Sequence, residues 1–308
     1  MGRSTFSGSL LSRFRALFKS ADFDASTFTP ERIAARIQLP FAGLEVPPLT
    51  ISWKKNLYFQ HLYELPRGAL SGPVQEDKAA AHALLAKLVN KDIDTETIVD
   101  LRDVYGLTEP LAELTGMQDL ETLAASKECR HIRIISYRDF EKTITQAIPL
   151  FLSDEPIYLR QASWLGESLF WSGEQHSYEF ACAVVYARRR GLELPKRTHI
   201  CRYSLNINTL QTVRQTYHML IMPEQAWSDR EFMAILLHSG CPYARLALNK
   251  APAPLEVLLL PKNQATADTL GKGLLMAGAQ DACEILLQLA QHYSPPSRYL
   301  YYFSPLDL

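Results

Sequence analysis

From residue 130 onward the chain alternates short apolar runs with amphipathic segments of helical period, and this alternation most constrains its fold. Apolar runs bounded by turn residues predict strands, and apolar positions that recur on one side of a helix predict helices. The strongest predicted helix spans 174–190, where an apolar side including Phe180 and Val184 ends at Gly191. The pattern indicates an α/β or α+β domain over 127–308, with a mixed sheet and flanking helices. The pattern does not fix the order of the strands, so a parallel sheet is also compatible with the sequence.

The region before this domain has a different character. Residues 22–126 are predicted to be mainly helical, with helices at 75–90 and 95–106 and one short pair of strands at 49–53 and 57–65. We therefore expect a more helical N-terminal region that precedes the mixed α/β domain.

Residues 1–21 are predicted to form a separate basic amphipathic helix. Leu10, Phe14 and Leu17 lie on one helical stripe, and basic residues precede the first acid, Asp22. Such a helix can lie on an anionic membrane surface or dock on a protein partner. The same pattern fits a first helix packed on its own domain, and the composition also suits an organelle transit peptide.

Composition excludes several classes of protein. The 32 Lys and Arg residues balance 33 Asp and Glu, so no net charge favours nucleic acid, which we do not expect as a partner. The five cysteines are odd in number and form no CxxC pair, which favours a reducing compartment and predicts a cytoplasmic location. No apolar run is long enough to span a bilayer.

The familiar sequence signatures of catalytic and cofactor sites are missing. The sequence has no GxxxxGK[ST], GxGxxG, GxSxG or HExxH motif. His199 and Cys201 would share a face of a strand, but zinc needs three or four converging ligands, so we predict no metal and no cofactor. The GKG run at 271–273 lies in a helical pattern, where close helix packing explains its glycines better than a phosphate loop does.

The densest group of aromatic and charged residues lies at 160–179, which is predicted as a strand, a tight turn and a helix start. A helix N-terminus has free amide groups and a partial positive charge, which favour phosphate or carboxylate. We therefore predict that Arg160, Ser163 and Gly173 bind a small anion. In the same site His176 and Glu174 are the candidate catalytic residues, because an imidazole exchanges protons near neutral pH.

A purely structural explanation of the same turn stays open. Ser172 followed three residues later by Gln175 fits a capping box, which would satisfy the helix start without a ligand. Gly173 then serves only the turn, and His176 is a surface residue.

The stretch LFWSGEQHSYEFACA resembles ParB-type nucleotide-binding and sulfiredoxin-like domains, in which a strand, a Gly-x-His-Arg turn and a helix of small residues follow one another. This resemblance implies phosphate binding near Gly173 and His176. The sequence departs from the pattern by one extra residue between glycine and histidine. Ser177 also stands where the family has its phosphate-contacting arginine, which puts nucleotide binding in doubt.

A broader likeness extends over most of the chain from about residue 115. Five strings are similar to an uncharacterised protein family of Pseudomonas and related bacteria: IRIISYRDFE at 132–141, LRQASWLGESLFWSGEQH at 159–176, YARRRGLE at 186–193, MPEQAWSD at 222–229 and PYARLAL at 242–248. The resemblance implies a soluble bacterial protein and carries no activity with it.

Two functions are consistent with the sequence, which does not decide whether the protein is an enzyme. The first is a cytoplasmic protein that binds a small phosphate- or nucleotide-like anion at 160–179. The alternative is a non-enzymatic interaction protein, whose contacts with a protein partner or membrane surface come from residues 1–20 and from the aromatic C-terminus RYLYYFSPLDL at 298–308.

Overall fold

The computed structural model describes residues 28–42, 49–55, 62, 65–108, 117–166, 168–173, 175–249 and 255–292. Its helices α1 to α9 are, in chain order, Pro30–Arg36, Gln75–Leu85, Leu120–Ala124, Tyr137–Ala147, Ser177–Arg190, Ile207–Thr216, Arg230–His238, Ala265–Met276 and Ala282–His292. Its strands β1 to β10 are Leu70–Ser71, Val89–Asp100, Val104–Leu107, Ile157–Ala162, Leu169–Trp171, Pro195–Leu205, Tyr217–Met222, Ala244–Asn249, Leu255–Pro261 and Gln280–Asp281.

The fold is α+β, and the chain divides into two compact units that interleave along the sequence. Unit 1 contains Met1–Gly43, Pro66–Leu84 and Gln211–Cys283. Unit 2 contains Leu44–Leu65, Leu85–Leu210 and Glu284–Leu308. Each unit is thus assembled from separate parts of the chain.

Unit 1 is built on an antiparallel sheet with the strand order β1-β8-β9-β7-β10. Its core joins the two central strands β7 and β9 to helices α1, α7 and α8, with Leu220, Leu258 and Leu270 fully buried. A continuous apolar run such as VLLLP at 257–261 is expected in a strand buried on both faces. Strands β8 and β9 are paired antiparallel.

Close helix packing at the GKG run is also confirmed. A Cβ atom on Gly271 would lie 2.3 Å from Cδ2 of His218 on β7. One on Gly273 would lie 2.6 Å from Cβ of Ile33 on α1. Both distances are too short for any side chain, so the glycines let α8 approach its neighbours.

Unit 2 is built on a mixed sheet with the strand order β2-β6-β4-β5-β3. Strand β6 is parallel to β4 and antiparallel to β2, and β5 is antiparallel to β4 and parallel to β3. The mixed sheet predicted for the second half of the chain is therefore confirmed. The sheet also takes in β2 and β3, which lie in the region predicted to be mainly helical.

The helix predicted at 95–106 is wrong, because these residues form the end of β2, a short 3-10 turn and β3. Thr97, Ile98 and Val99 are β-branched and suit a strand. They continue a ladder along β6, with a bulge between Asp94 and Thr97. The local pattern of this segment is ambiguous, and long-range pairing with β6 determines its secondary structure.

The unit 2 sheet has two faces of different character. The helix-covered face includes Leu159, Trp171 and Ile200, which pack against α3, α4 and α5 in one apolar core. On the opposite face, positions such as Phe170 and Tyr203 pack with Trp53 and partly buried neighbours in a smaller aromatic cluster.

Helix boundaries are mostly where local signals place them. The capping box that begins α4 forms between Ser136 and Asp139, and α5 ends at Gly191 with a left-handed φ of 66°. Helix α7 begins after Asp229, whose side chain caps the helix by accepting from the Phe232 amide at 2.7 Å. The predicted helix at 1–21 lies outside the described residues.

Candidate functional site

Strand alternation brings polar residues together on the opposite face of the unit 2 sheet. Tyr158 and Arg160 occupy alternate positions of β4, so their side chains leave the same face of the sheet. The register with β6 places His199 beside Tyr158 and Cys201 beside Arg160. The pair His199 and Cys201 therefore shares a face, as the sequence predicts.

Ser172 extends this polar row on the other side of β4. Arg160 pairs with Phe170 on β5, and the Ser172 amide donates to the Tyr158 carbonyl oxygen at 2.9 Å. Ser172, one residue beyond the end of β5, is therefore the neighbour of Tyr158, and the alternation along β5 puts it on the same face. We call Tyr158, Arg160, Ser172 and His199 the polar row.

Arg160 is the charged member of the polar row. Its side chain is half-buried, and it forms no hydrogen bond or ion pair with any residue in the described part of the chain. A guanidinium that has lost part of its hydration without gaining an acceptor is a costly arrangement. The arginine therefore has unused hydrogen-bond donors beside a sheet surface.

Two atoms of the polar row, Ser172 Oγ and His199 Nδ1, are buried without a hydrogen-bond partner among the described residues, and so is Trp53 Nε1. Each such atom costs about 1–3 kcal/mol relative to a satisfied one. Trp53 contacts Phe170, with ring centroids 5.2 Å apart. Because Phe170 is paired with Arg160, the orphaned atoms and the free guanidinium belong to one side of the sheet.

Aromatic and apolar groups border the polar row. The rings of Tyr158 and His199 are 5.2 Å apart at an interplanar angle of 52°, and Tyr158 is 62% exposed. On β2 the side chains of Ile93 and Ile98 are 63% and 56% exposed, and Ile93 is paired with Cys201. This part of the sheet thus combines flat apolar surfaces with unpaired polar groups.

The other residues of the predicted site lie elsewhere. Ser163 begins the 3-10 turn that follows β4. A Cβ atom on Gly173 would lie 2.1 Å from Cη2 of the Trp171 indole, so this glycine lets the chain pass over the ring. Glu174 lies outside the described residues.

His176 stands immediately before α5, which begins at Ser177 and not at Ser172. The predicted capping box of Ser172 and Gln175 therefore does not begin this helix. Among the described residues His176 is the one non-glycine with a left-handed backbone, at φ 61°, and its side chain does not cap the helix. Its Nδ1 lies 3.5 Å from Oε1 of Glu179, which also accepts from Gln146 Nε2 at 3.3 Å.

The structure separates the predicted site into two places. Arg160 lies on the opposite face, whereas His176 leads into α5, whose core residues such as Phe180 pack on the helix-covered face. Arg160 thus shares a face of the sheet with His199 and Ser172, and Gly173 directly follows Ser172 in the chain. The sequence does not predict that Ser172 and His199 lie near Arg160, because their proximity follows from the register of three strands.

Two observations limit other kinds of site within the described ranges. No group of three or more His, Cys, Asp or Glu residues there could hold a metal ion. None of the helices described is both long and apolar enough to cross a bilayer.

The class of the molecule is therefore an α+β protein, and one face of the mixed sheet of unit 2 carries an arginine that has no partner within the described part of the chain. Over residues 94–298 the chain matches a family model described as a family of unknown function, DUF6685, and it belongs to that family. Membership confirms the expected relationship to an uncharacterised family. No curated protein and no solved structure matches the chain significantly.

Proposed function

We propose that this protein is a cytoplasmic bacterial protein that binds a small phosphate- or nucleotide-like anion at the polar row, with Arg160 as the main partner of the anion. The observation that carries this proposal is the half-buried guanidinium, which has no acceptor among the residues that the structure describes. Phosphate and carboxylate groups suit arginine because two parallel N–H donors match two oxygens.

The neighbours of Arg160 suit the same ligand. Ser172 Oγ and His199 Nδ1 are buried and have no hydrogen-bond partner within the described residues, so the polar row has unused hydrogen-bonding capacity beside Arg160. The exposed ring of Tyr158 offers a flat surface on which a nucleobase can stack. An anion that carries a planar group therefore fits this face better than a bare phosphate.

The start of α5 is the second place proposed for the anion, with Gly173 as a binding residue and His176 and Glu174 as proton-transfer residues. Ser163, from the turn after β4, is proposed to assist. The strained backbone of His176, which caps the helix with no side-chain hydrogen bond, favours this place. Glu179 opposes it, because its carboxylate already lies in the first turn of the helix.

A thermal-shift panel tests the proposal with the full chain. Inorganic phosphate, pyrophosphate, nucleotides and phosphosugars are added to the wild type, to Arg160→Gln and to Arg189→Gln. Arg189 is an exposed residue in the last turn of α5, so its variant removes the same charge elsewhere.

We expect at least one anion to raise the Tm of the wild type and of Arg189→Gln. Loss of a charged hydrogen-bonding partner costs about 1.5–3 kcal/mol, so Arg160→Gln should bind that anion roughly ten- to a hundredfold more weakly. An equal shift in all three proteins, or no shift with any anion, would contradict the proposal.

The alternative function is that of an interaction protein. The exposed side chains of Ile93 and Ile98 favour it, because both lie on β2 at the edge of the sheet, where exposed apolar groups suit a protein partner. Its other elements, residues 1–20 and 298–308, lie outside the described residues. Deletion of residues 1–20 should abolish vesicle or partner association at unchanged Tm if this function holds, whereas a lowered Tm would indicate that the segment packs on its own domain.

A further inference from the structure

Strand β2 forms one edge of the unit 2 sheet, and no strand among the described residues lies along its outer side. It runs over 12 residues, Val89–Asp100, and pairs along its inner side with β6. The other edge of the sheet is covered, because the Leu107 amide of β3 donates to the Ile51 carbonyl oxygen at 2.7 Å and Ser52 forms a bridge with Leu107. An open edge as long as β2 offers backbone amide and carbonyl groups to another strand.

Two large apolar side chains leave β2 on the same face of the sheet. Ile93 is 63% exposed and lies opposite Cys201 of β6, and Ile98 is 56% exposed and lies opposite Arg197 of β6. Cys201 and Arg197 share a face because side chains alternate along β6, so their partners on β2 share that face too. Ile98 follows Ile93 at an odd spacing, which would separate the two side chains on a regular strand. The bulge in β2 brings them to the same face.

The residues of β2 match those of a second β2 strand that runs antiparallel to it. When two copies pair around a twofold axis at the centre of the bulge, Ile93 of each copy lies opposite Ile98 of the other. In the same register Lys91 lies opposite Asp100, which already pairs with Arg102 of its own chain at 2.6 Å. The two bulges face each other and are equal in length, so neither strand has an extra residue in this pairing.

Other registers of the two strands are less favourable. A shift by one residue places Ile93 opposite Val99, whose side chain belongs to the core on the helix-covered face. A shift by two residues keeps the faces but places Ile93 opposite Asp100 in one direction and Ile98 opposite Lys91 in the other. The register that pairs the isoleucines therefore combines matched faces with matched chemistry.

We propose that the protein forms a homodimer in which two β2 strands pair antiparallel in this register, so that the two unit 2 sheets join into one continuous sheet. The acids of β2 suit this pairing, because Asp92 lies opposite Val99 and Asp94 lies opposite Thr97. A twofold contact of this kind uses the same surface of both copies. The second copy covers the exposed isoleucines, and the proposal is independent of anion binding at Arg160.

Sedimentation equilibrium of the full chain, at concentrations up to about 100 μM, tests the association. We expect the wild type to reach the mass of two chains. Ile98→Glu places a charge opposite Ile93 at both symmetry-related contacts, so it should raise the Kd of the dimer at least about tenfold. Ile135→Glu is the matched control, because Ile135 is 78% exposed and lies outside β2, before α4. Its Kd should equal that of the wild type.

Two outcomes of this measurement would overturn the proposal. One is a wild type that stays monomeric over the whole range of concentrations, which would leave the isoleucines to a partner other than this chain. The other is a dimer whose Kd is the same in Ile98→Glu as in the wild type.

Disulfide cross-linking tests the register and decides even if Ile98→Glu fails to fold. Both proteins carry Cys201→Ser, which removes the thiol opposite Ile93, and one has Ile93→Cys while the other has Ile98→Cys. Under mild oxidation the mixture should give a dimer linked between positions 93 and 98, as mass spectrometry of its peptides would show. Each protein alone should give no such dimer, because equivalent positions lie about 17 Å apart across the axis, beyond the reach of a disulfide. No link in the mixture, or links between equivalent positions, would overturn the proposed pairing.

Discussion

Individual buried polar residues show how strictly this chain pairs its charges. Lys196 is 5% exposed, and its ammonium donates to the carbonyl oxygens of Leu150 and Phe151 at 3.0 Å and also to that of Ser153. The lysine thus closes the turn after α4. Arg160 differs from Lys196 because its donors have no acceptor within the described residues. This difference is the reason for proposing a ligand at Arg160.

His218 on β7 makes unit 1 sensitive to pH. Its Nε2 lies 2.8 Å from Asp268 Oδ1, and Lys272 Nζ lies 2.6 Å from the second oxygen of that carboxylate. Burial lowers the pKa of His218 and outweighs the favourable effect of Asp268. The folded state therefore binds a proton at His218 less readily than the unfolded state does.

The lowered pKa of His218 therefore contributes to the free energy of unfolding in full above the ordinary histidine pKa of about 6.5. This contribution is lost as the pH falls below that value. We expect the free energy of unfolding of the wild type to fall between about pH 7.5 and about pH 5.5 more steeply than that of His218→Gln. Urea unfolding at both pH values measures the two slopes. Equal slopes would show that His218 does not titrate in this way.

Elements with strong local signals are the ones that the sequence predicts correctly. Helix α4 begins with a capping box and α5 ends at a glycine. Strand β9 contains an apolar run. Strand β2 has none of these, because VNKDIDTETIVD is largely polar and becomes a strand through its ladder with β6. The site shows the same division: Arg160 is visible in the sequence, whereas the proximity of His199 and Ser172 depends on register.

Gly271 tests the close approach of α8 to β7. An alanine there would place its Cβ against the buried ring of His218, and overpacking costs about 1–3 kcal/mol. The gain in helix propensity, up to about 1 kcal/mol, offsets only part of this cost. We therefore expect Gly271→Ala to lower the free energy of unfolding in urea. Gly68→Ala, where nothing lies within 4 Å of the new Cβ, should change it little.

At the scale of the whole molecule, the interleaved units make the chain hard to divide. Unit 2 includes β2, at residues 89–100, which is a strand of its sheet. It also includes Trp53, which belongs to the aromatic cluster on that sheet. The family match begins at residue 94, inside β2. A fragment that starts at residue 127 therefore lacks an entire strand partner of β6.

We expect the fragment 127–308 to lack the cooperative thermal unfolding of the full chain, because it exposes the edge of β6 and part of the core. Circular dichroism melting of both proteins compares them directly. A fragment that melts as sharply and at the same temperature as the full chain would show that β2 and β3 are dispensable.

The proposed role of Arg160 is tested most directly by residue-resolved NMR of the full chain during titration with the anion that gives the largest thermal shift. Amide shifts should concentrate at the polar row, at Tyr158, Arg160, Ser172 and His199, and should vanish in Arg160→Gln. Shifts concentrated instead at the start of α5, from Gly173 to Tyr178, or shifts that survive the substitution, would contradict anion binding on this face of the sheet.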